Sequence, residues 1–192
     1  MKKLFMCCVL LFVFALCGCG EITQDDINGK YFDKTNHADI YYLFSDKGVE
    51  IHNEGSIEKC KNYKLQDGVV SFKTESGKSE LVYEDGILYT DNPMKGEIPD
   101  GDRINTQCEF TKSEDGTEVN SIYKFSEDGT LKVQNTIKSS ILGEHNLDYD
   151  YYYQRKENLF KITDSSSEDV FYLYTKDKKL FNDVLIKETE QF

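Results

Sequence analysis

Leu147-Asp148-Tyr149-Asp150-Tyr151-Tyr152-Tyr153-Gln154 alternates with a period of two. Leu147, Tyr149, Tyr151 and Tyr153 fall on one face, and Asp148, Asp150 and Gln154 fall on the other. That is the pattern of a strand with one apolar side. No window of the chain sustains the 3.6-residue period of an amphipathic helix. Outward from this stretch, short runs of Tyr, Phe, Val, Ile and Leu recur, among them Val69-Val70-Ser71-Phe72 and Ile87-Leu88-Tyr89-Thr90. Dipeptides able to take positive φ separate them: Asp67-Gly68, Asp85-Gly86, Asp115-Gly116 and Asp128-Gly129, with Lys47-Gly48 and Ser76-Gly77 alongside. Such turns match the twist of antiparallel strands and mark hairpins. The fold class is therefore all-β, an antiparallel meander.

The chain also repeats itself. Asp25-Asp26-Ile27-Asn28 is echoed by Asp102-Arg103-Ile104-Asn105, each followed by an aromatic, Tyr31-Phe32 or Phe110. Tyr42-Leu43-Phe44-Ser45-Asp46-Lys47-Gly48 is echoed by Tyr123-Lys124-Phe125-Ser126-Glu127-Asp128-Gly129. Further on, 67–72 parallels 157–162, and Leu81-Val82-Tyr83-Glu84 parallels Tyr172-Leu173-Tyr174-Thr175. Repetition of this kind implies two copies of one β unit. Both prolines, Pro93 and Pro99, lie between the copies, and proline removes a ladder donor. The expected organisation is two tandem meander units, 29–92 and 102–190, joined by a Pro/Gly linker at 93–101. Units this small bury only about 60% of their unfolded surface. Closing each into a small barrel, or packing the two together, removes exposed edges.

The N-terminus carries a different signal. Met1-Lys2-Lys3 precedes an unbroken apolar run from Leu4 to Leu16. A basic start, a short apolar stretch and small residues before a cut site are the parts of a secretory signal. The run falls short of the roughly 20 apolar residues that span a bilayer. Its end, Leu16-Cys17-Gly18-Cys19, resembles the lipobox of bacterial lipoproteins. The resemblance implies removal of 1–18, a diacylglycerol thioether on Cys19, and residues 19–28 as a lipidated tether. Two or more acyl chains anchor stably where one does not, at ~0.8 kcal/mol per buried methylene. The expected location is the extracytoplasmic face of the cell membrane.

A second resemblance rests on Gly29-Lys30-Tyr31, preceded by a short capped turn at Thr23 to Ile27, followed by the aromatic stretch ending at Gly48 and by Asp-Gly hairpins. This order is similar to the opening of bacterial lipocalin-like lipoprotein domains, matched once over Gly29 to Asn92 and more loosely over Asp102 to Lys187. It implies small lipocalin-like barrels, and a carrier of a small apolar ligand as one function. Tyr31 stands where the family carries tryptophan, and the second copy lacks the opening glycine. A barrel this small can also be filled by its own side chains.

The full chain has 23 basic and 35 acidic residues, a net charge of −12. Loss of Lys2 and Lys3 with the signal leaves 21 against 35, or −14. Such a surface repels nucleic acid and anionic headgroups. Cys7, Cys8 and Cys17 leave with the signal, so Cys60 and Cys108 are the free candidates. Export permits a disulfide between them, with a stabilisation of roughly 4 kcal/mol in the chain-entropy model. Two independent thiols are the other reading.

Reaction chemistry finds no motif. His37, His52 and His145 show no metal-ligand spacing, and no Cys-x-x-Cys pair exists. Ser165-Ser166-Ser167 sits between acids as a turn, with no nucleophile elbow around it. Asp100-Gly101-Asp102 and 113–118 lack the full ligand register of a calcium loop. No catalytic residue, metal or cofactor is assigned. The unusual feature is the tyrosine cluster, whose Tyr152 points away from the apolar face and is the candidate aromatic contact. The leading expectation is a non-enzymatic envelope lipoprotein that binds a protein or an envelope polymer. The lipocalin-like carrier is the alternative. A glycan hydrolase, requiring two carboxylates about 5 to 9.5 Å apart in a cleft, is the remote one.

Overall fold

A computed structural model describes residues 22–33, 40–141, 143–167 and 169–190. The signal, Cys19 and His37 lie outside the described residues. The Asp67-Gly68, Asp85-Gly86 and Asp115-Gly116 pairs take positive φ at both positions, as a two-residue hairpin turn of the primed type requires. Eight strands precede residue 90: β1 (Gly29–Phe32), β2 (Tyr41–Ser45), β3 (Gly48–Asn53), β4 (Ser56–Lys61), β5 (Lys64–Gln66), β6 (Val69–Thr74), β7 (Gly77–Glu84) and β8 (Ile87–Tyr89). Eight more follow: β9 (Thr106–Glu114), β10 (Thr117–Phe125), β11 (Thr130–Ser139), β12 (Gly143–Lys156), β13 (Leu159–Asp164), β14 (Val170–Lys176), β15 (Lys179–Phe181) and β16 (Val184–Lys187). The chain is nearly all β, in two antiparallel sheets.

The seven-stranded sheet runs β9 to β15 in chain order, a pure meander. The nine-stranded sheet has the order β4-β3-β2-β1-β16-β8-β7-β6-β5. Its centre is thus filled from the far end of the chain. The unit expected over 102–190 is not self-contained, because β16 crosses to the first sheet and pairs with β1 and β8. The reason is burial on both faces. Leu185 packs into the core of the first sheet, while Val184 and Ile186 pack into a second apolar layer against Tyr172, Tyr174 and Phe181. A strand apolar on both sides belongs at a sheet centre covered on both faces.

Each sheet encloses its own core. Tyr31, Phe44, Val49, Val70 and Leu88 fill the first, and Phe125, Leu131, Tyr153, Phe160 and Ile162 fill the second. The echoed phenylalanines take matching roles. Phe44 meets Tyr31 edge-on at 5.3 Å, and Phe125 meets Tyr153 edge-on at 5.3 Å.

The segment expected as a linker at 93–101 is structural instead. Met94 and Ile98 are buried in the second core together with Ile104. The amide of Met94 donates to Leu180 on β15 and that of Ile98 to Lys178, while Lys95 and Glu109 exchange both backbone bonds on β9. The segment fills the gap between the two edge strands of the seven-stranded sheet. Proline at 93 and 99 removes donors only at positions flanking this bonding, so both are tolerated.

Candidate functional site

A short helix, α1 (Gln24–Ile27), marks one end of the molecule. Ile27 is fully buried at the base of the first core, and Ile22 packs against the same cluster. The Asp26 carboxylate accepts hydrogen bonds from the amide and hydroxyl of Thr23, which hold it below the usual carboxylate range. The Asp26 carbonyl accepts from the Tyr83 hydroxyl (3.0 Å) and from Lys187 Nζ (2.8 Å). Gly68 lies against Ile22, and the Lys187 amide donates to Gly86. The turns at 67–68 and 85–86 therefore share one end of the molecule with the residues nearest Cys19 in sequence.

β12 starts from that end. Lys156, Glu157, Asn158 and Leu159 line a recess of about 190 Å³ together with Asp85 and Ile87. From Lys156 back to Gly143 the strand has 14 residues, which at ~3.3 Å each is about 45 Å. Its other end stands beyond both cores. Every residue from Gly143 to Asp150 is exposed, and β13 pairs with β12 only from Tyr151 onward. The outer halves of β9, β10, β11 and β12 thus form a ribbon that projects away from the end marked by α1.

Burial along the tyrosine face follows from this. Tyr153 is 1% exposed, whereas Tyr149 is 39% and Leu147 is 42% exposed. Tyr149 stacks on Tyr151 (6.2 Å between ring centroids), and Tyr151 meets Phe171 edge-on at 5.3 Å. The face keeps the polarity read from the alternation, but the core ends beneath Tyr151. Register places Val133 opposite Tyr149 and Asn135 opposite Leu147. Asn135 Oδ1 is buried with no hydrogen-bond partner. Burial pushes the Tyr123 phenol up to about 12.

Tyr152, the candidate contact, is 58% exposed on the opposite face, opposite Thr130 and Thr163. It continues a polar row formed by Glu144, Asn146, Asp148 and Asp150. Thr136 donates to Asn146 at 2.8 Å, Gln134 donates to Asp148 at 3.2 Å, and Lys132 lies 3.8 Å from Asp150.

The bridge weighed between Cys60 and Cys108 is absent: the two are free thiols, buried in different cores. Burial pushes Cys108 up to about 11, and burial with the Glu58 carboxylate raises Cys60. His52 stacks on Tyr41 (4.1 Å) and meets Glu50 at 3.3 Å; His145 lies on the ribbon. The Asp164 carboxylate accepts from the amides of Ser166 and Ser167 and from the Ser166 hydroxyl, so the tri-serine segment is a side-chain-capped turn. Among the described residues no three His, Cys, Asp or Glu side chains converge on a cation position, and no helix is long and apolar enough to cross a membrane. A cleft of about 780 Å³ lies on the outer face of β5 to β7, lined by Lys64, Val69, Ser71, Lys73, Lys78 and Glu80.

Fold and site together define an all-β protein of two packed sheets with a projecting, aromatic-faced ribbon. Set against family models, curated proteins and solved structures, the chain matches none of them.

Proposed function

We propose that this protein is a non-enzymatic binding module, anchored through lipid on Cys19 at the extracytoplasmic face of the membrane, which holds a partner at the far tip of the β9–β12 ribbon. The observation that carries this reading is the run of β12. It begins beside Asp85 at the tether end and finishes at Gly143, about 45 Å away, with Leu147 and Tyr149 exposed along its outer half. Exposed tyrosine and leucine on a rigid sheet are suited to anchoring a partner, because aromatic side chains bring large contact area at low entropic cost. Nine residues lie between Cys19 and Gly29, so at ~3.5 Å each the tether keeps the first sheet near the bilayer. A ribbon pointing the other way extends the reach of the module into the envelope.

The test is site-specific photo-crosslinking in intact host cells, with the crosslinker placed at Tyr149, at Tyr152 or at Lys73 in the cleft. Adducts from the two ribbon positions, and none from Lys73, are expected. Capture from Lys73 alone, or from no position, overturns the reading. Cys19→Ala is expected to abolish membrane fractionation; unchanged fractionation removes the anchor from it.

A further inference from the structure

We propose that the open edge of β12, from Gly143 to Tyr149, receives an extended segment of a partner polypeptide as an additional strand, one whose basic or amide side chains alternate with apolar ones. The proposal rests on the binding-module reading and names how the module binds.

Among the described residues no strand pairs with this edge of β12. β11 pairs with β12 from Gly143 to Tyr152, but β13 pairs only from Tyr151 onward, and the Ser165 amide donates to the Asp150 carbonyl. Every residue from Gly143 to Asp150 is exposed. In an antiparallel ladder alternate residues direct both backbone groups to one side; the Asp150 carbonyl meets Ser165 on the side away from β11, so Glu144, Asn146 and Asp148 direct their backbone groups to that same side. Exposed edges are normally blunted by lysine, proline, shortness or a covering segment. In the nine-stranded sheet, β4 carries Lys59 and Lys61, and β5 is three residues long. In the other sheet, the 93–98 segment covers β15 and the inner part of β9, and the exposed outer part of β9 carries Lys112. Residues 143–149 contain neither lysine nor proline.

The side chains say what fits. Across the polar face each rung ends on β12 with an acceptor: Glu118, Lys138 and Glu144; Thr111, Asn120, Thr136 and Asn146; Gln134 and Asp148; Lys132 and Asp150. The donors reaching Asn146 and Asp148 come from β11. A further strand completes these rungs by supplying donors at every second position, since opposite charges across strands attract and like charges repel. Its alternate residues meet Leu147 and Tyr149 on the other face, near the unpartnered Asn135 Oδ1. A second copy of this chain does not fit. Antiparallel self-pairing about Asn146 sets Glu144 against Asp148, and pairing about Leu147 sets Glu144 against Asp150.

The experiment uses the mature lipidated protein in detergent micelles and two fluorescent peptides, each about nine residues, the length of a long strand. One alternates lysine with valine and the other glutamate with valine. Binding is read by anisotropy and backbone protection by hydrogen exchange. The lysine peptide is expected to bind at least about tenfold more tightly than the glutamate peptide, from two or three cross-strand charge pairs, and to slow exchange at amides within 143–149. D148K/D150K is expected to reverse the preference. D148N/D150N, with its fold checked by circular dichroism, is expected to weaken the lysine peptide without favouring the other. Binding that leaves 143–149 unprotected, absence of binding, or protection of these amides by self-association without peptide each overturns the proposal. If ribbon crosslinks capture a partner while these amides stay unprotected, the binding module stands and strand addition falls. If these amides are protected while crosslinks capture nothing, the binding module falls and edge pairing stands as a property of β12.

Discussion

The hydroxyl of Tyr153 accepts a hydrogen bond from the Ile104 amide at 2.9 Å and donates to the Ser126 carbonyl at 2.9 Å. One side chain on β12 thereby ties together the segment entering the second sheet and the β10–β11 turn. In the first sheet Tyr31 does the corresponding work, its hydroxyl donating to the Ile27 carbonyl at 2.8 Å. Ile27 and Ile104 occupy matching places in the echoed Asp-x-Ile-Asn motifs. The duplication is thus visible as a shared device, an isoleucine plug bonded to a buried tyrosine that meets edge-on the phenylalanine before a turn.

Tyr153→Phe keeps the ring and removes the hydroxyl. The Ile104 amide is left buried without its acceptor, and an unsatisfied buried donor costs about 1–3 kcal/mol. We expect Tyr153→Phe to lower the unfolding free energy by that amount, read as a lower urea midpoint with m unchanged. Hydrogen exchange should quicken first at Ile104. A variant as stable as the parent overturns the role assigned to this hydroxyl.

β16 supplies the middle of a sheet otherwise made by residues 29–89. Leu185→Ala removes a buried side chain from the first core, and such truncations cost about 2–5 kcal/mol. Truncation after Asn182 removes the shared neighbour of β1 and β8 and leaves both as open edges. Exchange protection in both is expected to be lost while β10 to β13 stay protected. Retention of protection in β1 would show that the first sheet stands without β16.

The two thiols give a third test. Cys60 and Cys108 sit in separate cores with raised pKa values, and the thiolate is the reactive species. In unreduced protein near neutral pH, both are expected to resist alkylation while folded. Both are expected to be modified together once denatured. Two alkylated positions by mass spectrometry after denaturation support this, whereas none establishes a bridge and rearranges both cores.

Much of this was legible in residue order and some was not. The period-two alternation of 147–153 names both faces of β12 correctly, and the Asp-Gly pairs at 67–68, 85–86 and 115–116 are primed turns. The extent of the core beneath a strand is not a local property. Leu147 and Tyr153 look alike in sequence, yet only the second has β13 and the 93–104 segment across from it. Val184–Lys187 reads as one more strand of its own copy. Only the pairing partners reveal that it serves the other sheet. Pro93 and Pro99 hide Met94 and Ile98 in the same way, because prolines signal an interruption whether the segment is solvated or packed.

Buried tyrosines set the alkaline limit of the fold. Burial pushes Tyr123 up to about 12 and raises Tyr31 and Tyr174 above the ordinary value of 10.0. Below pH 10 the native and unfolded states both keep these protons, and the contribution to stability is fully present. Above it the unfolded state releases them first, so the native state binds more protons and stability falls as pH rises toward the folded values. Each such tyrosine contributes a slope of about 1.4 kcal/mol per pH unit within that window. We expect unfolding free energies to decline between pH 10 and 12, and phenolate absorbance of the folded protein to lag behind that of the denatured chain. Tyr123→Phe is expected to reduce the decline by about one proton while leaving stability at neutral pH little changed, because the ring that packs beside Cys108 and Val133 remains. Parallel declines in parent and variant would mean that this phenol is solvated, and that the ribbon is open further down than Tyr149.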